Sequence, residues 1–90
     1  MLTPLERKAL KAKAHKLEPV VQIGAKGLTD EVIAEIERAL KAHELIKVRA
    51  GSLERHQRED AFGSICGRTG AESVQQVGKV CVLFRKKPDD

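Results

Sequence analysis

Val20-Val21-Gln22-Ile23-Gly24-Ala25-Lys26-Gly27-Leu28-Thr29-Asp30-Glu31 is the stretch on which the fold turns. Three of its first four residues are β-branched, which predicts a short strand. Gly24 to Gly27 then turn the chain. Thr29 is placed to cap a helix, and Asp30 and Glu31 follow where acids complement the positive end of the helix dipole. Leu28 and Ile33 are spaced for a hydrophobic staple across that cap. A strand passing through a glycine turn into a helix is the basic α/β unit.

Downstream, Val32, Ile33, Ile36, Ala39 and Leu40 recur at helical spacing, and Glu37 with Lys41 is a supportive i,i+4 pair. From Leu45 to Ala50 the period changes to two. Ile46, Val48 and Ala50 face one way, Lys47 and Arg49 the other, as in a half-buried strand. Leu53 to Thr69 predicts a third helix with Leu53, Ala61, Phe62, Ile65 and Cys66 apolar and Gly70 as its terminator. Val74 to Val77 and Val80 to Arg85 read as strands joined by a tight hairpin at Gly78-Lys79.

Upstream, Thr3-Pro4 opens a helix that runs to Leu17 and stops at Glu18-Pro19, since the residue before proline avoids helical angles. Its pattern assigns Leu2, Leu5, Ala9 and Ala12, flanked by Leu10, Ala14 and Leu17, to an apolar side. Arg7, Lys8, Lys11 and His15 gather on the other. The expected order is α-β-α-β-α-β-β, an α/β two-layer sandwich. One domain fills residues 1–86, and 87–90 form a polar tail.

Lys and Arg outnumber Asp and Glu by 17 to 13, a net charge of +4, which favours an anionic partner. The surplus is local: residues 1–17 hold five cations against Glu6, whereas 18–50 carry −1 and 51–90 carry +1. A basic helix is also what a solvated face looks like, or a surface that docks an acidic protein. No apolar run reaches the roughly 18 residues of a membrane span, and no apolar leader opens the chain. Cys66 and Cys81 sit in apolar stretches, as buried free thiols do in a reducing compartment. A cytoplasmic location is the expectation.

Gly-x-x-Gly ahead of a helix has a physical use beyond the turn. Glycine lets backbone come close to a ligand, and a helix start offers free N–H groups. With Lys26 in the loop, the natural occupant is a phosphate. A carboxylate at Gly27, just ahead of the helix, is expected to spare the fold and repel that phosphate. The spacings of nucleotide-binding loops are absent. So are Trp and Tyr, which leaves little to stack bases on and points to backbone rather than base readout. Three scattered histidines and two cysteines lack metal-ligand spacing, and no nucleophile lies near a base. The expectation is therefore no cofactor, no metal, no small-molecule substrate and no catalysis.

Several segments in order carry a resemblance. Ala14-His15, Leu17, Pro19-Val20-Val21-Gln22-Ile23-Gly24, Gly27-Leu28-Thr29, His43-Glu44-Leu45-Ile46-Lys47-Val48, Val77-Gly78-Lys79 and Val82-Leu83-Phe84-Arg85 resemble the stand-alone bacterial CRM-domain proteins, the YhbY family. The resemblance implies an α/β sandwich like the C-terminal domain of translation initiation factor three, with RNA bound around the Gly-x-x-Gly loop and the adjoining basic surface. Bacterial members of the family are associated with precursors of the large ribosomal subunit, and plant relatives with group II intron splicing. The chain departs from the family pattern at Ala25, often basic or polar there, and at Phe84, commonly Tyr. The expected RNA contacts are Gly24, Ala25, Lys26 and Gly27 of the loop, Arg7, Lys8 and Lys11 of the first helix, Lys47 and Arg49, and Arg85. The expected partner is ribosomal RNA in large-subunit precursors.

Overall fold

A computed structural model describes residues 2–87, so Met1 and all but Lys87 of the 87–90 tail lie outside the described residues. Seven elements follow one another: α1 (Pro4–Ala14), β1 (Val21–Gln22), α2 (Asp30–His43), β2 (Leu45–Arg49), α3 (Arg55–Thr69), β3 (Glu72–Val77) and β4 (Val80–Phe84). Their order is the one the sequence predicts.

Local chemistry sets the helix ends. Thr3 and Glu6 form a reciprocal capping box at α1, Thr29 Oγ1 accepts from the Val32 amide at 3.2 Å, and Gly70 closes α3 in the left-handed region. α1 stops at Ala14 rather than Leu17. The amides of Lys16 and Leu17 bond back three residues to Lys13 and Ala14, tightening the chain ahead of Pro19. α2 passes into β2 through Glu44 alone, which takes a φ of 62° to make so short a connection.

The four strands lie in the order β1-β2-β4-β3, with β1 parallel to β2 and the other pairs antiparallel. Alternation divides the side chains between two faces. One face carries Val21, Ile46, Val48, Cys81 and Leu83 against Ile36 and Leu40 of α2 and Ala61, Phe62 and Ile65 of α3. This dry layer, sheet against two helices, is the sandwich and holds most of the core. α1 crosses the opposite face, where Ala14 packs with Val74 and Val82, and Leu2, Leu10, Leu45 and Phe84 join at the edge.

α1 is rotated relative to the face its pattern suggests. Ala14 is buried and Leu10 half-buried, while Leu5 is 79% exposed and Ala9 and Ala12 face solvent. Two alanines offer little area to bury. Arg7, by contrast, has carbonyls to reach: β3 bulges between Ser73 and Gln75, and Arg7 Nη1 donates to the Ser73 and Val74 oxygens at 2.6 and 3.0 Å. That pair of bonds fixes which side of α1 meets the sheet.

Candidate nucleic-acid interface

α1 covers the Leu45–Phe84 end of its face and leaves the other end open. Strand register shows what lies there. Gln22 pairs with Arg49, Arg49 with Val80, and Val80 with Val77. One step nearer α1, Lys47 pairs with Val82 and Val82 with Gln75. Directly paired residues share a face, so Arg49 and Lys47 stand beside two glutamines on an aliphatic floor. Lys11 of α1 and His15, the residue that caps its C-terminus, wall the floor from above. No carboxylate lines the cleft between them. Arg49 lies over Gly51, where an added Cβ would stand 3.3 Å from its Nε.

The Gly-x-x-Gly loop lies at the same end of the sheet. The Ile23 amide donates to the Arg49 carbonyl at 2.8 Å, and the Ala50 amide to the Lys79 carbonyl at 2.8 Å. The exit of β1, the exit of β2 and the β3–β4 hairpin are thereby tied side by side, and the loop begins at Gly24 next to Arg49. Gly24, Ala25 and Lys26 are exposed. Gly27 takes a φ of +78°, a conformation in which an L side chain is strained, and its amide donates to Gly24 O at 3.0 Å.

Two expectations are corrected here. The loop does not abut the helix start, because Leu28 and Thr29 intervene and Asp30 and Glu31 already occupy the positive end of α2. A phosphate at this loop would meet Lys26 and backbone rather than the helix dipole. Gly27→Asp is not the benign substitution expected of it either. Positive φ penalises any Cβ, whereas Gly24 has ordinary backbone angles and open space around the position of a Cβ.

The CRS1 / YhbY (CRM) domain family matches residues 2–85. This chain belongs to that family. An RNA-binding protein of Haemophilus influenzae is 43% identical over 84 residues, covering 93% of this chain and 85% of the relative. A relative in Pseudomonas aeruginosa, named as a probable RNA-binding protein, is 40% identical over 87 residues, covering 97% and 84%. A hypothetical protein of Staphylococcus aureus, solved in solution, superposes with a TM-score of 0.84 at 29% identity, over 100% of this chain and 94% of that one.

Within this CRM domain the sequence-nominated cations divide into two sets. Lys11, Lys26, Lys47 and Arg49 border the open face or its end, and Lys8 is exposed on α1. Arg7 and Arg85 do not belong with them. Arg7 is spent on the β3 bulge. Arg85 Nη1 donates to both carboxylate oxygens of Glu37 at 2.9 Å and to Thr69 O at 2.8 Å, with its side chain only 23% exposed. It joins the end of β4 to α2 and the end of α3, so its charge holds the fold.

Sequence reasoning missed Gln22, Gln75, Val77 and Val80 as surface neighbours of Arg49 and Lys47. The available signal was the Gly78-Lys79 hairpin, which, once paired with β2, puts Val77 and Val80 in the arginine's row. Burial pushes the Cys81 thiol up to about 11 and raises Cys66 as well, which disfavours the thiolate in both. Among the described residues no cluster of His, Cys, Asp or Glu is arranged for a metal ion, and no helix is long and apolar enough to cross a membrane.

Proposed function

We propose that the protein binds RNA in the cytoplasm as a non-catalytic clamp, holding ribosomal RNA in precursors of the large subunit during assembly. The observation that carries this reading is the carboxylate-free cleft lined by Lys11, His15 and Lys47, with Arg49 exposed on the next row of the same face, at the end of the sheet that also bears the Gly-x-x-Gly loop. Cations held on a rigid sheet, with a flexible lysine on an adjoining loop, suit a phosphate backbone that must be gripped without reading sequence. Membership of the CRM family and the names of the relatives support RNA as the partner, and the family's association with large-subunit precursors supports the ribosomal role.

Gly24→Asp is the direct test. The new carboxylate enters the loop at a position with room for it, so circular dichroism is expected to match wild type. Affinity for ribosomal RNA should fall on the order of tenfold or more, the scale of reversing charge beside a phosphate. Co-sedimentation with large-subunit precursors should be lost. A folded Gly24→Asp protein that still co-sediments defeats the loop's role. Wild-type protein that ignores RNA but captures an acidic protein would replace this reading with a protein-docking adaptor.

A further inference from the structure

The open face holds more than charge. Between α1 and the sheet lies a cavity of about 290 Å³, floored by Val77, Val80 and Val82 and rimmed by Lys11, His15, Lys47 and Gln75. That volume is at the small end of ligand sites, which run from roughly 300 Å³ upward, and suits one planar group rather than an extended molecule. Val77 is 60% exposed at the hairpin tip. Val80 beside it is half-buried and Val82 is buried with Ala14, so the part of the floor left to water is Val77 and the edge of Val80, and covering it with an apolar surface is favourable.

A phosphate has no use for such a floor, and an apolar peptide has no use for the cationic rim. A nucleobase fits both, with faces that pack on valine and edges that take hydrogen bonds. We infer that this cleft seats one unstacked guanine of a single-stranded RNA segment, so that the protein reads a base as well as a backbone. The inference rests on the RNA-binding reading above and adds a specificity that the absence of exposed aromatic residues argues against at sequence level. Guanine follows from the rim. Lysine ammonium groups only donate, and guanine presents two adjacent acceptors, O6 and N7, with no donor between them; the other base with such a pair, cytosine with N3 and O2, is a single ring and covers less of the valine floor. Adenine has no such pair, because its N6 amino group stands between N7 and N1 and would turn toward Lys11 and Lys47. The Gln75 amide can donate or accept and so suits either side of the ring. A base in a duplex cannot enter, because its faces are stacked and its edges paired, so the segment must be a loop or a single strand.

Fluorescence anisotropy with the full chain tests this, using short labelled oligoadenylate, the same strand with one central guanine, and the same with 7-deazaguanine. Wild type should prefer the guanine strand by about tenfold, the discrimination typical of a lysine pairing with O6 and N7, and 7-deazaguanine should lose most of that gain. Gln75→Ala and Val77→Ser alter no residue assigned to phosphate. Both should abolish the guanine preference while leaving oligoadenylate affinity and its salt dependence unchanged. Equal binding of all three strands by wild type overturns the base seat and leaves the phosphate clamp standing. Binding of none overturns both. A guanine preference that survives in both variants, or survives removal of N7, overturns the assignment to this cleft.

Discussion

The two faces of the sheet are built from alternate residues of the same strands, yet they have been put to opposite uses. In β2, Ile46 and Val48 point into the dry layer under α2 and α3, while Lys47 and Arg49 point the other way. In β4, Cys81 and Leu83 go inward, and Val80 and Val82 outward beneath the edge of α1. One face is covered along its length and stabilises the domain. The other is half covered and keeps its cations available. The same contrast separates the arginines. Arg7 and Arg85 have carbonyls or a carboxylate within reach and are consumed by the fold. Arg49 is exposed, on the strand row next to the cleft. Where the fold supplies an internal acceptor, as it does for Arg7 and Arg85, it commits a guanidinium nitrogen to holding elements together.

The sharpest way to break the comparison is to strike each face with a truncation. Ile65→Ala removes a fully buried side chain from the dry layer and should cost about 2–5 kcal/mol in denaturant unfolding. Val77→Ala on the open face should stay within about 0.5 kcal/mol. Comparable losses would mean that the open face is also core.

Cys81 lies on the covered face and offers a pH test. Its thiol is raised from the ordinary 9.0 to about 11 by burial, so the folded state keeps a proton that the unfolded chain releases. That stability is fully present below about pH 8.5 and lost as pH rises through 11, a fall of about 2–3 kcal/mol. Cys81→Ala should start less stable but show a shallower alkaline decline. Parallel pH profiles for the two proteins would show that burial does not hold the thiol neutral.

Arg85→Ala separates a fold-holding cation from a binding one. Losing its bonds to Glu37 and Thr69 should cost about 2 kcal/mol, the scale of hydrogen bonds to charged groups. The salt dependence of RNA binding by the folded fraction should not change. A flatter salt slope would return Arg85 to the binding surface.

The mildest variant on the stability scale is Lys47→Ala with Arg49→Ala. Thermal unfolding should stay near wild type, while affinity for RNA without guanine falls on the order of tenfold whatever its sequence. Wild type, with about four phosphate contacts, should show a log–log salt slope near −3, and the double variant one shallower by about 1.4. An unchanged slope would remove these two residues from the interface.

Much of this was readable in the chain because it is local. Thr29 ahead of Asp30-Glu31, the period-two run from Leu45 and the hairpin glycine each report on neighbours a few residues away, and all seven elements appear in the expected order, with shifted ends at α1, β1, α3 and β3. The candidate loop was equally visible, since Gly24 and Gly27 flank an exposed turn. The facing of α1 was not. Leu5, Ala9 and Ala12 satisfy helical periodicity as well as Leu10 and Ala14 do, and periodicity cannot say which stripe will find a partner. The deciding contact spans 66 residues, from Arg7 to Ser73.

The sequence by itself determined the α-β-α-β-α-β-β order, the alternation that sends Lys47 and Arg49 away from the core, and the glycine loop, because helical and strand periods and turn chemistry act within a few residues. Only the tertiary structure decided that α1 covers one end of the sheet. It also decided that Arg7 and Arg85 are spent internally, and that Gln75, Val77 and Val80 meet Lys11 and Lys47 around one cleft. Those facts depend on strand register, on a bulge in β3 and on acceptors brought from distant parts of the chain, none of which leaves a local mark on the residues it commits.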